Sequence, residues 1–168
     1  MKRGGGFSLL ELIICLAIFS ILMAISAPNF FAMRKNAQQK DAARSIMLAL
    51  RHARTQAVTE NIEYQVAFDL DTQRYWLERG NLADNSTAWE ITRHFEEHQG
   101  GIIMRALANC TSSSGQRRIQ FNPNGTSNTL YICAIDPDSS VRFRAGTSVA
   151  KIGRPVIHRD ATGSGDWK

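Results

Sequence analysis

Catalytic signatures are the first thing this sequence lacks. Its 168 residues hold no nucleophile elbow and no phosphate loop. Cysteine is scarce. Cys15, Cys110 and Cys133 are the full set, and the two downstream ones lack the paired spacing of a zinc ribbon. Strong charge is missing too: 20 basic against 15 acidic residues give a net +5. Removing Lys2 and Arg3 with the first six residues leaves 18 against 15, a net +3. So mild an excess permits an anionic partner without requiring one. There is no internal repeat and no sign of a second domain. With 43% apolar residues a packed core is within reach and disorder is excluded. The length fits one domain plus an anchor.

Two short patterns suggest metals and fall short. His94-Phe-Glu-Glu97-His98 has the spacing of inverted zinc peptidases. That chemistry needs a stable helix and a third ligand, and this segment runs into Gly100-Gly101. Asp136 and Asp138 flank Pro137, but calcium takes six to eight oxygens, so a turn is the simpler reading. No enzyme activity, cofactor or metal site is expected.

What is present is concentrated at the N-terminus. After Met1-Lys2-Arg3-Gly4-Gly5-Gly6, only Ser8, Glu11, Ser20 and Ser26 interrupt an apolar run from Phe7 to Ala27. About 20 such residues span a bilayer as a helix. Lys2 and Arg3 place the N-terminus in the cytoplasm and the remainder outside. Glu11 is the anomaly, since an acid at hydrocarbon depth costs about 3 kcal/mol on insertion scales and usually has a partner. Cleavage after Gly6 would create an α-amino group at Phe7, one helical turn from Glu11. That ammonium would pair with Glu11 of its own chain or of a neighbour in a filament.

A plain signal anchor and a secretory signal cut near Ala24-Ile25-Ser26 compete with this reading. Glu11 and the nearby Pro28 argue against the second. A basic leader ending in Gly6, then Phe7, then Glu11, then a long apolar helix resembles the signal of type IV pilins and type II secretion pseudopilins. The resemblance implies cleavage between Gly6 and Phe7 by a prepilin peptidase, N-methylation of Phe7, an assembly role for Glu11 and a helix kink at Pro28. Methylation keeps the amine's charge.

Beyond Pro28 the apolar residues Ala42, Ile46, Ala49, Leu50, Ala53 and Ala57 share one face of a helix that Asn61 can stop. Arg44, Arg51, His52 and Arg54 mark the other faces, with His52 read as solvated. The segments are therefore a leader (1–6), a transmembrane half-helix (7–28), an amphipathic half-helix (29–61) and a β-rich head (62–168). Ala53-Arg-Thr-Gln-Ala-Val58 resembles a stretch at this position in the pseudopilin H and FimT-type minor pilin family.

Strand patterns follow, at Tyr64–Phe68 and Arg74–Glu78 as a hairpin, then Ala88–Thr92, Gly101–Leu107, Arg117–Asn122, Thr129–Ile135, Val141–Arg144 and Val149–Ile152. A helix followed by a run of strands predicts an α+β fold, one antiparallel sheet laid on the long helix. The family's C-terminal half is also resembled by Ile119-Gln-Phe121, the turn at Gly125 and Gly153-Arg154-Pro155. If the head is exported, Cys110 and Cys133 make one natural disulfide; in a reducing compartment they are two separate thiols.

From residue 142 onward Arg142, Arg144, Lys151, Arg154, Arg159 and Lys168 outnumber Asp160 and Asp166. Such residues either form the wet face of edge strands or hold phosphates by counterion release. Some FimT-type minor pilins take up DNA through C-terminal arginines, which extends that reading to Lys151, Arg154 and Arg159. The leading expectation is a minor pilin or pseudopilin at or near a filament tip. Its partners would be other pilins, the prepilin peptidase, the inner membrane and a secreted substrate. A pilus-borne DNA receptor with a periplasmic head is the alternative.

Overall fold

The computed structural model describes residues 8–95, 101–148 and 152–168, leaving aside the side chains of 26–29 and 32. Its first element is a 52-residue helix, α1 (Leu9–Glu60). Ser8 caps it, its hydroxyl accepting the Leu10 amide at 3.2 Å. The segment holds no glycine and one proline, and the helix assignment runs on through residue 28. Pro28 removes one backbone bond, which the flanking turns absorb. The stop is Asn61, whose φ of 53° is the left-handed conformation that ends helices.

The chain divides into two units, Met1–Arg34 and Lys35–Lys168. In the first, every large apolar side chain from Leu9 to Ile25 is 51–78% exposed. Among the described residues no helix is long and apolar enough to cross a membrane. Described apolar side chains run only from Leu9 to Ile25 before the first gap, short of the roughly 20 residues a bilayer requires.

The second unit holds the rest of α1 and eight strands: β1 (Tyr64–Asp69), β2 (Arg74–Gly80), β3 (Trp89–His94), β4 (Ile103–Ala106), β5 (Gln116–Phe121), β6 (Leu130–Ile135), β7 (Arg142–Thr147) and β8 (Pro155–Asp160). The β1–β2 hairpin turns where Asp69 Oδ1 accepts the amides of Asp71 and Thr72. One expected sheet proves to be two, each four-stranded, in the orders β3-β2-β1-β5 and β4-β6-β7-β8. All pairings are antiparallel. The division arises because the chain changes sheet between β3 and β4, at residues 107–115 and again at 122–129, with left-handed residues at Leu107, Cys110, Gly115 and Gly125 turning the last two.

Ile46, Ala49, Leu50, Ala53 and Ala57 pack with Phe68, Leu77, Met104, Phe121, Ile132 and Ala145, so one helix face serves both sheets. The alanines let the strands approach closely, and the helix period expected over residues 42–57 is the buried one. Earlier on the helix, Lys35 pairs with Asp136 at 3.4 Å and Asp138 at 3.0 Å, fastening the β6–β7 turn. Buried Glu63 accepts from the Asn85 and Ser86 amides and from Gln120, which ties the β2–β3 loop to β5.

The last strand departs from expectation. It is Pro155–Asp160, a segment for which the sequence pattern predicts no strand. Ile152 lies in a turn, and residues 149–151 fall outside the described set. Pro155 opens an edge strand, a position where a missing N–H costs little.

Candidate functional site

Gly6 and Phe7 lie outside the described residues. Glu11 stands in the first turn of α1, three residues after the Ser8 cap. There the helix dipole favours a negative charge. No other described side chain bonds to it. Around it the apolar surface of the helix is uncovered on all sides.

Cys110 and Cys133 form a disulfide, their Cα atoms 5.7 Å apart. It fixes the 107–112 loop to β6. Cys15 is a free, exposed thiol on α1.

The basic tail separates into different places. Arg142 and Arg144 share a face of β7, opposite Asp160 and His158 of β8. Arg144 is sandwiched between the rings of Tyr131 and Trp167, 4.2 Å from each centroid, and donates to the Ala108 carbonyl. Burial pushes its guanidinium below the ordinary arginine range, partly offset by Tyr131 and Asp160. His158 is lowered as well, by burial first and then by the Arg144 charge. Arg159 is exposed on the other face of β8, opposite Phe143, and its backbone pairs with Lys168. Lys151 falls outside the described residues. Among those described, Arg142, Arg144, Arg154 and Arg159 do not share one surface.

Of the two metal-like patterns, Glu97 and His98 also fall outside the described residues. His94 ends β3, exposed, its ring 6.3 Å from that of Trp76. Asp136 and Asp138 form a turn, the Asp138 amide donating to Asp136 Oδ1, with Lys35 as counter-ion. Among the described residues no group of His, Cys, Asp or Glu could hold a metal.

Three distant segments meet beside the end of α1. Arg54 donates through Nε to the Gly125 carbonyl at 3.3 Å and through an Nη to the Ile152 carbonyl at 3.2 Å. It thereby clasps the β5–β6 turn and the β7–β8 turn onto the helix. Gly153 makes the approach possible. Its φ is 56°, and a Cβ there would stand 2.0 Å from the Gly125 oxygen. Next to this clasp lies a groove of about 590 Å³ lined by Arg51, Arg54, Thr55, Val58, Thr59, Arg154 and Pro155. The clasp role of Arg54 was missed from sequence. Its signals were the Ala53–Val58 stretch, the Asn124-Gly125 turn and Gly153-Arg154, each visible alone.

A family model described as Type II transport protein GspH matches residues 42–148. The chain belongs to this family. The match spans the buried half of α1 and every strand through β7, including Arg54, Gly125 and the disulfide. A second model, the prokaryotic N-terminal methylation motif, matches residues 1–27 and so contains Gly6, Phe7 and Glu11.

Among solved structures, the minor pseudopilin EpsH of the Vibrio cholerae type 2 secretion system superposes with a TM-score of 0.53 at 12% identity. It covers 74% of this chain and 97% of its own. The type IV minor pilin FimU of Pseudomonas aeruginosa gives 0.55 at 16% identity, covering 74% and 91%. At these identities the likeness shows the fold, an α+β pilin head on a long helix. No curated protein matches.

Proposed function

We propose that this chain is a non-catalytic minor subunit of a type IV pilus or a type II secretion pseudopilus, built in through its N-terminal helix at or near the tip. The observation that carries this is the helix surface from Leu9 to Ile25, uncovered and apolar except at Glu11 and Ser20, while the head builds its hydrophobic core from residue 42 onward. A helix of that kind needs lipid or other helices around it. By sequence the apolar run extends from Phe7 to Ala27, enough for the inner membrane before assembly, with the N-terminus cytoplasmic and the head periplasmic.

In this reading prepilin peptidase cuts between Gly6 and Phe7, and Phe7 is then methylated. The new ammonium neutralises Glu11 of a neighbouring subunit inside an apolar filament core, which fixes axial register. Support comes from the methylation motif over residues 1–27 and from the pseudopilin and pilin folds of the head's structural neighbours. N-terminal sequencing of the exported protein should begin at Phe7, and Glu11→Ala should abolish incorporation into filaments. A product beginning elsewhere, or a Glu11→Ala subunit incorporated normally, overturns the reading.

A further inference from the structure

The groove beside the Arg54 clasp has no role in the packing just described. We infer that it is a binding site for a carboxylate side chain of an acidic peptide segment on a partner protein. This deepens the assembly reading, on which it rests, by naming the chemistry of what the head would hold.

Three guanidinium groups line the groove, and no carboxylate does. Arg51 and Arg54 stand one turn apart on α1, and Arg154 enters from the β7–β8 turn. Only Arg54 is engaged, by two backbone carbonyls that leave its charge unneutralised. Neither Arg51 nor Arg154 makes a side-chain hydrogen bond or ion pair among the described residues. Both are exposed, while Arg54 is half-buried and held in place. One fixed and two free guanidinium groups around a concavity suit a planar oxyanion, which takes paired N–H bonds from an arginine fork.

The remaining lining selects among oxyanions. Val58 and Pro155 are apolar, and Thr59 offers a hydroxyl. The methylenes of a glutamate or aspartate would lie against Val58 and Pro155 while the carboxylate reaches the arginines. A phosphodiester carries no such aliphatic stem. A nucleic-acid duplex presents its phosphates on a convex ridge, which a recess walled by a helix and a turn does not follow. The site therefore favours an acidic peptide over DNA.

The test uses the full chain, disulfide intact, in uncharged detergent, with fluorescence anisotropy of labelled hexaglutamate, hexaglutamine and a short DNA duplex. Hexaglutamate should bind and hexaglutamine should not. Arg51→Ala with Arg154→Ala should weaken hexaglutamate binding about tenfold or more. Lys40→Ala with Arg118→Ala, which removes equal charge elsewhere, should change it less than about twofold. On the unmutated chain, free glutarate should displace the peptide and its dimethyl ester should not. Equal binding of hexaglutamine, an unaffected Arg51/Arg154 variant, an equal loss in the control variant, or displacement by the ester overturns the inference. Groove-dependent binding of the duplex without hexaglutamate also overturns it, in favour of a phosphate ligand. If peptide binding fails while Glu11→Ala still blocks incorporation, the groove inference falls alone. If peptide binds and Glu11→Ala is harmless, the assembly reading falls and the groove stands.

Discussion

Asp160 is buried at the end of β8, and burial alone would push its carboxyl up. Hydrogen bonds from the amides of Gly165, Thr162 and Gly163 and from the Thr162 hydroxyl outweigh that and hold it below the ordinary range. Nearby His158 is lowered too, by burial and then Arg144, and its Nε2 is buried without a partner among the described residues. Both groups bind protons less readily folded than unfolded, so stability falls as pH falls. The His158 part is complete above about pH 6.5 and is lost from there down to its lowered folded value. The Asp160 part is present above the ordinary aspartate value and is lost as pH drops through the folded one. Melting temperature measured across pH should show both steps. His158→Gln should flatten the upper one and Asp160→Asn the lower; an unchanged profile in both variants contradicts this account. None of it was legible in the sequence, where Asp160 was one acid in a basic tail. The same holds for Arg54, because its partners stand 71 and 98 positions away.

Elements were easier to read than their partners. The α1 period and the Asn61 stop follow from local chemistry, and so does the first hairpin. Whether eight strands make one sheet or two depends on which loops cross between layers, and no local pattern encodes that. β8 is hard to read because Pro155 counts against a strand until an edge position is known. The Cys110–Cys133 bond follows from the sequence only if the head is exported, and the cysteine count leaves two separate thiols open until the structure joins them. Its value lies in the 107–115 crossing, since β4 has only four residues and, among the described residues, is held by β6 and by one bridge from Ala106 to Ser112. The two cysteines are 23 positions apart, and a loop of that size is worth about 3 kcal/mol in the chain-entropy model. Cys110→Ala with Cys133→Ala should lower stability in urea by about that amount. Hydrogen exchange should rise most in residues 103–115. A uniform rise across both sheets would mean that the bond does not act locally.

At the scale of the whole chain, one helix belongs to two environments. Its residues up to Arg34 fall in a unit with no core among the described side chains, whereas Lys35 begins a unit whose buried clusters are self-contained. Unit 2 carries its own ion pair at that boundary, Lys35 with Asp136 and Asp138. The division lies within α1 rather than in a loop, shortly after the change from apolar to amphipathic pattern at Pro28. A fragment of residues 35–168 is therefore expected to fold by itself. It should give a single cooperative melt, keep the disulfide and stay monomeric without detergent in analytical ultracentrifugation. The full chain should need detergent, because the large apolar side chains from Leu9 to Ile25 are exposed. Trimming further, to residue 47, would remove Gln39, Ala42, Ala43 and Ile46 from the core and the Lys35 ion pair with them. That shorter fragment should lose cooperativity, since Phe143 and Ala134 would be left uncovered. Equal melting of the two fragments would show that the early turns of the buried half-helix do not hold the head together.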